Sequence, residues 1–150
     1  IGDCFYHPSD KQKELILVGA GTGAAPLLGI AKDALISQHQ GDIHFYHGAR
    51  KRSGLYLHQQ LSNLAQQHTN FFYHACLSGD FTATTENIRK GRCNDIALAD
   101  INIKNQPLLF LCGNPDMVKN TQRIVYLDGL SMDNIFIDPF EYLDLRKNTR

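Results

Sequence analysis

The chain has no tryptophan, two methionines and four cysteines among 150 residues, and its fifteen Lys and Arg are balanced by fifteen Asp and Glu. Without net charge there is no global field to gather nucleic acid or an acidic membrane, so any electrostatic binding has to be local. Cys4, Cys76, Cys93 and Cys112 lie far apart and form no C-x-x-C, which argues against a zinc knuckle and a redox dithiol motif. Free thiols in a reducing compartment, the cytoplasm, are the expectation. No charged-then-apolar leader opens the chain, and no apolar run approaches the ~20 residues needed to span a bilayer. The first residue is Ile1, which points to a piece of something longer or to a processed chain.

Metal and hydrolytic chemistry also lack their residues. The spacing of the seven histidines gives no ligand cluster. His44 and His47 alternate to opposite faces of a predicted strand, and His58 and His68 have no H-E-x-x-H partner. No metal site is expected. Ser53-Gly and Ser78-Gly-Asp lack the Gly-x-Ser-x-Gly context of a nucleophile elbow.

What is present is alternation. Short apolar runs predict strands near 14–18, 42–47, 71–76, 107–111 and 134–138, and three- and four-residue apolar spacing predicts helices over 25–38, 54–68 and 115–127, with a weaker one at 93–99. Leu57, Leu61 and Leu64 show that spacing. Strands separated by helices make an α/β fold: a parallel sheet with right-handed crossovers and helices on both faces, three layers in all. Ligands of such sheets bind at the carboxyl ends of the strands, where strand order reverses, which picks out 19–26, 48–56, 77–81 and 112–117. The polar, weakly periodic stretch 78–92 reads as a long loop. With 150 residues one domain is expected.

The most informative junction is Leu15-Ile-Leu-Val18 running into Gly19-Ala-Gly21-Thr-Gly23-Ala-Ala25-Pro26. Glycines let the turn enter positive φ and let a phosphate approach the main chain. The helix start behind them favours negative charge by up to ~2 kcal/mol when partly buried. Gly19-x-Gly21-x-x-Ala24 meets a relaxed dinucleotide fingerprint, while the missing Gly-Lys-Ser/Thr excludes a Walker P-loop. The acid that usually holds the ribose about 20 residues on is absent. Gly48-Ala49-Arg50-Lys51-Arg52 stands there instead.

Five ordered motifs, Gly21-Thr-Gly-Ala-Ala-Pro26, Gly48-Ala-Arg50 with Leu55-Tyr56, Gly91-x-x-x-Asp95, Cys112-Gly-Asn-Pro-Asp-Met-Val118 and Asp138-Pro-Phe140, resemble the NAD(P)-binding half of the ferredoxin–NADP reductase superfamily. The similarity is to the flavin-containing reductases that feed oxygenases, ferredoxins or flavins. It implies a five-stranded parallel sheet of order 3-2-1-4-5 over 11–150. Residues 1–10 would then be the linker and the end of an FAD-binding barrel, which Gly2-Asp-Cys-Phe-Tyr6 resembles.

The resemblance further implies that Gly21, Thr22 and Gly23 cradle the diphosphate of NADH or NADPH, with Pro26 setting the first helical turn. Gly48, Ala49 and Arg50 would hold the adenosine ribose, and Tyr56 would lie along adenine or ribose. Cys112, with Gly113, Asn114 and Met117 at its border, would sit beside the nicotinamide, and Phe140, or failing it Tyr142, would cover the flavin. Gly-Ala-Arg with Leu-Tyr points to NADH, while the missing acid leaves NADPH open. Asp116 is read as the cap of the helix after Cys112. The implied partners are an FAD-binding domain and an acceptor such as a ferredoxin, an iron–sulfur domain or an oxygenase. A nucleotide-sensing module without redox chemistry is the rival; a methyltransferase is disfavoured by Arg50, where an acid would be needed.

Overall fold

In the computed structural model the described residues are 4–79 and 87–140, the side chain of Asp10 excepted. Gly2, Asp3, Tyr142 and the tail 141–150 lie outside them. Among the described residues six parallel strands form one sheet: β1 Leu15–Ala20, β2 Ile43–Ala49, β3 Phe71–Leu77, β4 Ile88–Lys90, β5 Leu108–Gly113 and β6 Ile135–Pro139, ordered β4-β3-β2-β1-β5-β6. Four helices connect them: α1 Ala24–Ile36, α2 His58–Gln67, α3 Cys93–Asp100 and α4 Pro115–Leu127. Among the described residues, no helix is long and apolar enough to cross a membrane.

Alternation on the strands divides the core in two. Leu15 and Leu17 pack with Phe45 and Phe110 under α1 and α2, meeting Leu27, Ile30 and Leu61. Ile16 and Val18 face the other way with Leu109 and Leu111, meeting Ala97 of α3 and Val118 and Val125 of α4. Because β1 and β5 are buried on both faces, their sequences are apolar throughout rather than alternating.

The sheet departs from the expected five strands by one. β4 is only three residues long, pairs with Ala75–Leu77 at the edge, and lies in the stretch read as a loop. Its single buried apolar residue, Ile88, gives no periodic signal. What fixes it is a polar clamp: Arg89 donates to both Asp100 oxygens, at 2.5 and 3.0 Å, while Tyr46 Oη donates to the same carboxylate at 2.9 Å. Helix α2 begins at His58 rather than near 54, since Arg52–Gly54 forms a 3₁₀ turn and Leu55 is buried beside Ala75, Leu77 and Ile88. Helix α1 ends at Ile36, two residues earlier than expected.

The functional consequence of this topology is at β1. It pairs β2 on one side and β5 on the other, so the chain reverses direction across the sheet there and opens a crevice beyond the strand ends.

Candidate functional site

At the reversal point β1 leaves the sheet at Ala20, passes through a 3₁₀ turn, Gly21–Gly23, and enters α1. Gly21 has φ +56°, a conformation that costs an L side chain about 1–2 kcal/mol, and nothing lies within 4 Å of where its Cβ would be. Gly23 is needed for the opposite reason: a Cβ there would stand 2.5 Å from the carbonyl oxygen of Cys112 and 2.8 Å from the Cα of Gly113. The turn is therefore pressed against the end of β5 while its outer side is open. No side chain caps α1, because its cap residue is Gly23. Main-chain donors and the positive end of the helix remain for an anion.

Beside this turn lies a cleft of about 750 Å³ at the carboxyl edge of the sheet. Gly21, Gly48, Ala49, Arg50, Asn114 and Met117 line it. Thr22 and Pro26 are exposed in the turn and the first turn of α1. The Thr22 carbonyl accepts a 3.4 Å hydrogen bond from Tyr56 Oη. Tyr56 in turn covers His47, edge to face with ring centroids 5.4 Å apart. His47 is fully buried with neither ring nitrogen hydrogen-bonded, and burial first, then His58, lowers its pKa to about 4. It is a neutral ring at pH 7.

Sequence reasoning missed the far wall of the cleft: Arg92, Cys93 and Asn94 at the start of α3, and Asn120 of α4. The strand-end-to-helix step at 91–95 was the available signal. Arg92 occupies the cap position of α3 without a side-chain capping bond, so a second helix start opens on the cleft with no side-chain partner. Among the described residues lining the cleft, Arg50 and Arg92 are the cations and Asp116 is the one carboxylate. Asp116 is not the cap of α4. Asn114 is, accepting from the N–H groups of Asp116 at 2.9 Å and Met117 at 3.4 Å, and Pro115 follows at the first helical position.

Three residues expected at the nicotinamide and flavin end, Cys112, Gly113 and Phe140, lie off the cleft lining. Cys112 is fully buried, and its thiol donates to Cys4 Sγ at 3.8 Å. That bond first, and burial second, push its pKa far above the thiol range, so it is no thiolate. Phe140 is half-buried just past β6, its N–H donating to the carbonyl of Gly113 at 2.8 Å.

An oxidoreductase NAD-binding domain family model matches residues 17–123. The chain is 32% identical over 126 residues to the ferredoxin–NAD(P)(+) reductase component of the naphthalene 1,2-dioxygenase system of Pseudomonas putida, covering 84% of the chain and 38% of that protein. It is 29% identical over 136 residues to the reductase component of propane 2-monooxygenase from Rhodococcus jostii, covering 84% and 35%. A crystal structure of a cytochrome P450 reductase of Amycolatopsis superimposes with a TM-score of 0.78 at 28% identity, over 89% of this chain and 39% of that one. The chain thus spans little more than a third of the length of these relatives.

Proposed function

This chain belongs to the oxidoreductase NAD-binding domain family, and from that membership we propose that it is the nicotinamide-nucleotide half of a flavin-dependent reductase. The observation that carries the reading is the glycine turn wedged against the end of β5, under a helix start that no side chain caps. A cradle that a Cβ at Gly23 would fill, open on its outer side, fits a diphosphate.

Gly21, Thr22 and Gly23 bind the diphosphate through main-chain N–H groups, and Thr22 can add its hydroxyl. Gly48 and Ala49 let the adenosine lie close to the end of β2. Arg50 holds the ribose with its forked N–H donors, and Tyr56 flanks it. The remaining half of the nucleotide runs toward Cys112, Gly113 and Asn114. Cys112 lies beneath that end of the cleft as an uncharged, buried thiol that backs the strand end without offering a proton to the ligand. Phe140, held by its bond to Gly113, stands at the edge from which an FAD domain would approach. When bound, the nicotinamide supplies a hydride and the flavin accepts it; the protein's task is geometry and electrostatics.

The relatives are named as reductase components of oxygenase systems, one of them a ferredoxin reductase, which supports a ferredoxin or an oxygenase component as the acceptor class. In this proposal the electrons pass through FAD held mainly on a domain outside this chain. NADH is the preferred donor on the Gly48-Ala-Arg50 and Leu55-Tyr56 signature. NADPH is also admitted, because no carboxylate ends β2 to repel a 2′-phosphate. Anaerobic mixing of NADH with the full-length polypeptide should bleach its flavin, while this chain alone should bind NADH without turning over an artificial electron acceptor. Reductase turnover by the flavin-free chain would contradict the proposal.

A further inference from the structure

Two of the four free cysteines meet across the length of the chain. Cys4 lies in the irregular segment before β1, and Cys112 lies near the end of β5, 108 residues later. Their sulfurs are 3.8 Å apart, in hydrogen-bond contact, with neither in a disulfide. Closing to the ~2.05 Å of a disulfide requires a movement of less than 2 Å. The movement falls on Cys4, because Cys112 is held in the ladder between β1 and β6 while residues 4–7 belong to no regular element. Cys4 is half-buried and so reachable by a small oxidant, whereas Cys112, Cys76 and Cys93 are buried.

We propose that Cys4 and Cys112 are a reversible redox pair, oxidised by low-molecular-weight disulfides, that fastens the segment preceding β1 to the end of β5 beside the glycine turn. The Cys4 thiolate attacks one sulfur of oxidised glutathione, forming a mixed disulfide and expelling one glutathione thiolate. The Cys112 sulfur then attacks the Cys4 sulfur while its proton passes to the departing glutathione sulfur, so the protein disulfide forms and the second glutathione leaves as a thiol. Two protein thiols are oxidised, one small disulfide is reduced to two thiols, and no other reductant or oxidant is consumed. Burial of Cys112 orders the steps: Cys4 reacts first and Cys112 resolves. The bond forms whether or not the domain binds a nucleotide, so its test is separate from that of the proposed function.

The purified chain is incubated with oxidised glutathione and mapped by non-reducing peptide mass spectrometry. The expected result is a Cys4–Cys112 cross-linked peptide, a fall from four free thiols to two, and recovery of all four with dithiothreitol. Because the bond closes a loop of more than 100 residues in the unfolded chain, the melting temperature of the oxidised form should rise by roughly 10–20 °C. Cys4→Ser should show no cross-link and no rise. Cys112→Ser should stop at glutathionylated Cys4, which reads the order of steps even if that variant is less stable. A wild-type product that stays glutathionylated at Cys4, a cross-link between Cys76 and Cys93 instead, or four unreacted thiols would overturn the pair.

Discussion

Replacing Gly23 by alanine tests the cradle through space alone. Its backbone, at φ −64° and ψ −17°, is one any residue adopts, so the substitution introduces no dihedral strain. Its Cβ would stand 2.5 Å from Cys112 O, 2.7 Å from Cys112 C and 2.8 Å from Gly113 Cα. Ordinary contact begins near 3.4 Å, and all three neighbours are backbone of a strand end that is paired on both sides, so the turn must lift by close to 1 Å. Overpacking of this kind costs about 1–3 kcal/mol, or roughly 3–10 °C in melting temperature for a domain of this size. The same lift moves the main-chain donors away from a bound diphosphate, and the loss of even one charge-assisted bond, ~1.5–3 kcal/mol, weakens binding by at least about tenfold. Gly29→Ala on the exposed side of α1 is the control. Nothing lies within 4 Å of its Cβ position, and it should stabilise the helix by ~0.5–1 kcal/mol with NADH affinity unchanged. Thermal melts and NADH calorimetry on the two variants read both effects. Wild-type affinity and melting temperature in Gly23→Ala would refute the close approach on which the site is built.

His47 makes stability pH-dependent. Its pKa is lowered from 6.5 to about 4, so its contribution is complete above pH 6.5 and disappears as pH falls toward 4. At ~1.36 kcal/mol per pH unit that is ~3 kcal/mol, and His74, also lowered to about 4 chiefly by burial, adds a similar acid sensitivity. His47→Leu should therefore flatten roughly half of the decline in urea midpoint between pH 7 and 4.5; an unaltered slope would contradict the buried neutral ring. Asn114→Ala removes the cap of α4 and should cost ~1 kcal/mol by denaturant melts, while Asn114→Asp should retain most of it. Arg50→Ala should weaken NADPH by ~10-fold and NADH by only ~3-fold, since the 2′-phosphate offers the stronger charge-assisted bond; equal affinities before and after would remove Arg50 from the site.

The strands that cross the core were legible because burial on both faces writes an unbroken apolar run, as in Leu15–Val18 and Leu108–Leu111. β4 was not, because three edge residues held by Arg89 and Asp100 carry their information in a long-range ion pair rather than in periodicity. The glycine turn was readable from spacing, since positive φ and close approach demand the same residue type. Asn114 before Pro115 is a capping signature, an Asx cap followed by proline at the first helical position, whereas Asp116 lies two residues further on, already inside the helix. The sulfur contact between Cys4 and Cys112 depends on how distant segments meet, which no local pattern encodes, whereas Arg92 was signalled only by the strand-to-helix step at 91–95.

The most direct measurement is an NADH titration of the isotope-labelled chain followed by amide resonances. Saturable shifts should appear at Thr22, Gly23 and Arg50, and in Gly23→Ala they should need at least about tenfold more NADH while Gly29→Ala keeps the original midpoint. Nucleotide addition that leaves the Thr22 and Gly23 amides unmoved would contradict diphosphate binding at the first strand-to-helix turn.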